Sequence, residues 1–111
     1  MLTKFALAAA MAVGQSPVPP PPSWSPVLDC GRRVYAIEGL ICEDPALLAG
    51  ARRMEAAYAR ALADLPSDQA DQLADAQLAW SKQRNQCAFK RKAAACVDHL
   101  QAKRTRAIER R

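Results

Sequence analysis

Residues 44–66 read DPALLAGARRMEAAYARALADLP, and this stretch decides the fold. Asp44 offers a side-chain oxygen to the free amides of a first turn, and Pro45 has the φ angle that the first helical position requires. Leu47, Ala51, Met54, Tyr58 and Leu62 then recur at i, i+4, i+7, i+11 and i+15, one face of a helix, with Leu48 beside them. Pro66 removes the amide that would continue the helix. The stretch therefore predicts a long helix with one buried face and two marked ends.

The sequence on either side has the same character. After residue 42, glycine and β-branched residues are scarce and alanine is abundant, which favours helix throughout. Ser67 or Asp68 restarts the chain with acids in the first turn, which suit the positive end of a helix dipole. A third helix is predicted with Leu73, Gln77, Trp80, Arg84 and Cys87 on one face. The run AFKRK at 88–92 breaks it. A fourth helix runs from about Ala93 and faces inward with Val97, Leu100, Arg104 and Ile108. Upstream, Val34, Ile37 and Ile41 are spaced as one face of a short helix. The expected fold is all-α: a small bundle of about three main helices plus a short N-terminal helix.

The N-terminus reads differently. Residues 1–14, MLTKFALAAAMAVG, place Lys4 before a short apolar run and end on small residues. This is a signal-peptide pattern, too short for a membrane span. No cysteine follows the apolar run directly, so there is no lipid-attachment site, and no later stretch is apolar enough to span a bilayer. Residues 15–28, QSPVPPPPSWSPVL, hold six of the eight prolines. Proline fixes φ and removes donors, so an extended linker is expected here. Trp24 in this linker has no periodic partner. The domain proper is expected over residues 29–111, in a periplasmic or secreted protein.

In an exported chain of this size, four cysteines read as a disulfide framework. Neither Cys30-x11-Cys42 nor Cys87-x8-Cys96 has zinc-site spacing, and His99 is the only histidine. Four cysteines allow three connectivities. An unbroken helix from 30 to 42 would separate those cysteines by about 18 Å, and a disulfide needs Cα atoms within about 7 Å. So either these two are not partners, or the segment begins extended and folds back along a short helix, a turn that Gly31 eases. The pair Cys87 and Cys96 needs only a turn between antiparallel helices. The two local pairs are the favoured pattern, with crossed pairings as the alternative. Each bridge would contribute roughly 2–3 kcal/mol to a domain too small to be robust without staples.

The charge is segregated. Residues 29–81 carry nine acids and five bases, a formal −4, whereas residues 82–111 carry two acids and ten bases, a formal +8. The overall +5 is thus a property of the C-terminal third. A basic face attracts anionic envelope polymers, lipid headgroups or acidic proteins. The plainer explanation is a solvated helix face that keeps the chain soluble. No aromatic residues are interleaved with these bases in the pattern of a nucleic-acid binder, and nucleic acid is not an expected partner.

Catalytic patterns are missing. Asp98 and His99 are adjacent, and adjacent helical residues do not face each other. The serines show no nucleophile motif, and the four glycines form no phosphate loop. Oxidised cysteines leave no thiolate. The expectation is a protein that is not an enzyme and takes no cofactor or metal.

Taken in order, Cys30, Glu38, Ile41-Cys42, Asp44-Pro45, Leu47, Arg52-Arg53, Tyr58, Gln77-x2-Trp80-x3-Arg84-x2-Cys87, Cys96 and Arg104 form a pattern. It resembles the lysozyme inhibitor LprI-like N-terminal domain, a small exported helical module of bacteria. The resemblance covers about residues 29–108, and the Gln-Trp-Arg-Cys run is its most specific part. Gly50-Ala51 departs from it, because the family usually has Leu-Asp there. The cysteine loop 87–96 also looks longer and more basic than usual.

The resemblance implies inhibition of lysozyme, by occluding its active-site cleft. The acidic half, residues 29–81, is then the surface expected to meet a cationic enzyme. Glu38, Tyr58, Gln77, Trp80, Arg84 and Arg104 carry the family pattern and read as structural. Trp80 and Arg84 are four apart on one helix, so a guanidinium lid over a packed indole is the natural contact. Glu38 is expected to pair with one of these arginines inside the fold. Two other functions fit the composition: an envelope-associated module that binds anionic polymers or lipids through its basic C-terminal helix, or a scaffold for an unknown partner.

Overall fold

The computed structural model describes residues 26–111. The expected leader, and the linker up to and including residue 25 with Trp24, lie outside the described residues. Four α-helices follow in order: α1 Ala36–Glu43, α2 Pro45–Asp64, α3 Ser67–Asn85 and α4 Ala93–Glu109, with a 3-10 turn at Gln86–Phe89 between α3 and α4. No strand occurs among the described residues. The fold is the all-α bundle that the sequence predicts.

α2 begins where the sequence places it. Asp44 Oδ1 accepts from the amides of Ala46 at 3.0 Å and Leu47 at 3.2 Å, with Pro45 at the first helical position. Its buried face is Leu47, Ala51, Met54, Ala57 and Tyr58; Leu62 is only half-buried. α3 restarts directly after Pro66, with Asp68 in its first turn and Lys82 and Arg84 in its last, both favourable to the helix dipole.

α1 is shorter than the apolar spacing suggests. Glu38 Oε1 accepts from the amides of Val34 at 2.8 Å and Tyr35 at 2.7 Å. These bonds satisfy the donors ahead of the helix, which therefore starts at Ala36. Ile37 and Ile41 are buried, but Val34 stays outside the helix and is 65% exposed. It does not belong to the core.

Helix directions follow from the contacts between helices. Gln101 Nε2 donates to the Leu47 carbonyl at 3.1 Å near the start of α2. Further along, Arg53 lies 3.8 Å from Glu109. α2 and α4 therefore run in the same direction. α3 runs opposite to both, with Gln77 touching Met54 and Arg104. α1 packs at the end where α2 begins, α3 finishes and α4 begins.

The interior falls into two clusters. One contains Leu28, Ile37, Ile41, Leu47, Ala51, Cys87 and Val97, and the other Met54, Ala57, Tyr58, Leu73, Trp80 and Ile108. Leu100 touches both. On α4 the buried face is Val97, Gln101, Thr105 and Ile108. Leu100 and Arg104, expected to point inward, are only half-buried.

Both disulfides join local pairs: Cys30 to Cys42 with Cα atoms 5.7 Å apart, and Cys87 to Cys96 at 5.6 Å. The first is possible because residues 30–35 are not helical. The chain turns at Asp29, whose carbonyl accepts from Arg32 N at 3.0 Å. That turn uses no positive φ, even at Gly31.

Leu28 ends the proline-rich stretch, yet it is only 5% exposed. Its amide donates to Glu55 Oε2 at 2.8 Å, and its carbonyl accepts from Arg52 Nη1 at 2.7 Å. Arg52 and Glu55 also bond each other at 2.9 Å. Two side chains of α2 thus clasp the backbone of Leu28 from both sides.

Candidate functional site

The residues of the family pattern meet in the interior. Glu38, Gln77, Trp80 and Arg84 line one small cavity with Leu28, Ala51, Met54 and Glu55. Its volume is about 20 Å³, room for one water. The Arg84 guanidinium carbon lies 5.8 Å from the Trp80 ring centroid, within cation–π range. Arg84 also donates to Asn85 Oδ1 from Nε at 3.3 Å and Nη2 at 2.9 Å. Trp80 is 8% exposed. This is the packed indole with an arginine lid that the spacing predicts.

Glu38 does not form the expected ion pair. Its Oε1 is engaged by the two amides before α1, and among the described residues no ion pair joins it to an arginine. It acts on Arg84 through its field instead. Burial lowers the Arg84 pKa, and the charges of Glu38 and Glu55, with Tyr35, push it back up.

A second polar group sits one turn away. Gln77 is 2% exposed; its Oε1 accepts from Arg104 Nε at 2.8 Å, and its Nε2 lies 3.7 Å from Met54 Sδ. Burial lowers the Arg104 pKa, with Arg111 adding to that and Tyr58 opposing it. Tyr58 is shifted the other way: burial raises its pKa and Arg104 lowers it. Arg104 Nη2 is buried with no hydrogen-bond partner. Gln77 is the joint between the groups, because it lines the Arg84 cavity and receives Arg104.

Four contributors escaped the apolar pattern. Gln101 and Thr105 are buried on α4, where Gln101 caps the Leu47 carbonyl and Thr105 Oγ1 donates to the Gln101 carbonyl at 2.8 Å. Ser81 is buried and donates to Leu78 O at 2.6 Å. Leu28 is held by Arg52 and Glu55. Gly50 has a role too: a Cβ there would stand 3.0 Å from Gln101 Nε2. A larger residue there would press on the amide that caps Leu47. Ala51 is buried beside the Arg84 cavity.

The surface keeps the two charges apart. Asp68, Asp71 and Asp75 are exposed and spaced as one stripe along α3. Lys90, Arg91, Lys92, Lys103, Arg106, Arg110 and Arg111 are exposed on the C-terminal segment. The ion pairs among the described residues join Arg33 to Glu43, Arg52 to Glu55 and Arg53 to Glu109, so none neutralises either group. Asp98 and His99 are exposed neighbours. No cluster of three metal-ligating side chains occurs among the described residues, and no helix there is long and apolar enough to cross a membrane.

These features define a class: a small all-α domain, stapled twice, with Tyr58, Gln77 and Trp80 of the pattern buried, Glu38, Arg84 and Arg104 half-buried, and a surface divided by charge. The chain belongs to the family described as lysozyme inhibitor LprI, whose model matches residues 31–108. No curated protein and no solved structure matches it.

Proposed function

We propose that the protein is an exported, non-enzymatic binding protein that inhibits lysozyme-type muramidases by steric occlusion. Family membership across residues 31–108 carries this reading. Two physical features support it. The cavity beneath Arg84 has room for about one water, too little to enclose a small substrate among the residues that line it. The second core cluster packs the first half of α3 against its neighbours through Leu73, so its outer face is ordered before any partner arrives.

The contact surface we assign is the acidic stripe of Asp68, Asp71 and Asp75. A chain with net +5 repels a cationic lysozyme at long range. The stripe is the region whose charge complements such an enzyme, and it would orient the approach. The test is clearing of a peptidoglycan suspension by lysozyme at two salt concentrations. The oxidised protein should inhibit saturably at both, and reduced, alkylated protein should not. The triple variant Asp68→Asn, Asp71→Asn, Asp75→Asn should weaken inhibition with only a small loss of thermal stability, from removing the first-turn charge of Asp68. No inhibition by oxidised protein in large molar excess refutes the reading for that enzyme.

One observation favours a second reading. Among the described residues, the seven exposed cations between Lys90 and Arg111 form no ion pair. They suit an envelope-associated protein that holds an anionic surface. Inhibition of clearing that disappears with salt would mean that the protein coats the anionic substrate, which supports this second reading.

A further inference from the structure

We infer that the loop Cys87–Cys96 is a docking tip for an anionic phospholipid bilayer, with Phe89 entering the interface and Lys90, Arg91 and Lys92 contacting headgroups. The inference rests on the second reading above and narrows it to one element and one ligand chemistry. It is independent of muramidase inhibition.

Phe89 is 82% exposed, the most exposed of the large hydrophobic side chains among the described residues. A lone exposed apolar side chain is ordinary. Phe89 differs because three consecutive exposed cations follow it. The next residue with a negative charge is Asp98, which lines a groove with Gly50 and Arg53 on the α2 side. The tip thus carries an aromatic ring and three positive charges with no acid among residues 86–97.

The tip is also held in shape. The Cys87–Cys96 disulfide closes the loop across nine residues. Lys90 N donates to the Cys87 carbonyl at 3.0 Å, and Cys96 N donates to the Lys92 carbonyl at 3.0 Å. Cys87 itself is fully buried in the core. Phe89 is therefore presented outward by a braced turn and has little freedom to fold back. Behind the cations, α4 opens at Ala93 with no side-chain cap, so its dipole adds to the positive potential.

The ring distinguishes a bilayer from other anionic partners. A soluble polyanion attracts the cations but gives an exposed phenyl ring nowhere to go. A bilayer interface accepts both, since aromatic rings partition at headgroup depth while basic residues meet anionic lipid. The attachment would be reversible, because one ring and one basic cluster together fall far short of an integral anchor.

The test is sedimentation of the oxidised protein with vesicles of phosphatidylcholine alone or mixed with phosphatidylglycerol. Binding should require phosphatidylglycerol. Phe89→Ser should lower partitioning roughly tenfold, and Lys90→Gln, Arg91→Gln and Lys92→Gln should lower it about fivefold each. In Phe89→Trp, tryptophan emission should shift to the blue on these vesicles and stay unchanged with soluble polyphosphate. All four side chains are exposed, so the variants should melt like the parent. If Phe89→Ser binds as tightly as the parent, the contact is electrostatic alone and the bilayer proposal is wrong. If the loop variants are neutral while the protein still binds, the tip is wrong but the second reading stands. No binding to phosphatidylglycerol vesicles overturns the bilayer proposal, while salt-sensitive coating of peptidoglycan would still support the second reading.

Discussion

The two ends of the bundle are held by different means. At one end, α1, the start of α2, the 3-10 turn and the start of α4 enclose Ile37, Ile41, Leu47, Cys87 and Val97. These are short pieces: α1 has eight residues and the 3-10 turn four. Isolated segments of that length do not hold a helical shape, and both disulfides sit here. At the other end, two helices of 20 and 19 residues pack with α4 around Met54, Tyr58, Leu73, Trp80 and Ile108. There is no covalent link there. Length and side-chain burial do at one end what sulfur does at the other. The lesson is local: a small domain can be marginal in one part and adequately packed in another, and staples belong in the marginal part.

Breaking the staples should have the largest effect. Reducing both disulfides should remove about 5 kcal/mol in total by loop-closure entropy, enough to unfold most domains of this size. Circular dichroism melts with and without reductant measure the loss. Amide exchange locates it: α1 should lose protection before the middle of α2 and α3. Retained protection in α1 after reduction would end the comparison as drawn.

The opposite end should break by truncation. Trp80→Ala removes the largest buried side chain of the second cluster and the platform under Arg84. It should cost about 3–5 kcal/mol in urea denaturation.

A smaller effect sharpens the boundary between the ends. Arg104→Met leaves Gln77 Oε1 buried without its donor and should cost roughly 1–3 kcal/mol. Adding Gln77→Leu removes the stranded acceptor, so the double variant should recover part of the loss. A double-mutant cycle yields the coupling. Strict additivity would mean that the 2.8 Å bond between these residues adds nothing to the packing around it.

The smallest effect is a pH dependence confined to the unstapled end. Burial raises the Tyr58 pKa above its ordinary 10.0. Below pH 10 the phenol is neutral in both states and contributes nothing to the slope. As pH rises through 10, the unfolded chain loses this proton while the native chain keeps it, so stability falls until the raised native value is passed. Tyr58→Phe should flatten that part of the stability curve, measured as Tm between pH 9 and 11. An unchanged slope would assign the alkaline loss to other groups.

Much of this fold was legible because its signals are local. Asp44, Pro45 and Pro66 mark the ends of α2 by backbone chemistry alone. The pairing of Cys87 with Cys96 needs only a turn, and the break at 88–92 provides it. The inward position of Trp80 under Arg84 follows from helical spacing. Other features were hidden because they depend on distant partners. Val34, Ile37 and Ile41 fit a helical face, yet the carboxylate of Glu38 sets the start of α1 and leaves Val34 outside. Gln101 and Thr105 are polar, so an apolar stripe passes over them in favour of Leu100 and Arg104. They are buried because Gln101 meets a carbonyl on another helix 54 positions away. Leu28 looked like the end of a linker because its two holders, Arg52 and Glu55, lie more than 20 residues downstream. The burial of Tyr58, Gln77 and Trp80 says more about how the domain is built than about what it touches.

The bridges join the first cysteine to the second and the third to the fourth, across separations of 12 and nine residues. Neither encloses the other, and no bridge waits on sequence beyond its own loop. A chain emerging N-terminus first into an oxidising compartment would present Cys30 and Cys42 together before the other two thiols arrive. An oxidant that joins neighbours in order of appearance therefore makes the native set directly, with no wrong pair to undo. The covalent pattern is written in the order of the chain.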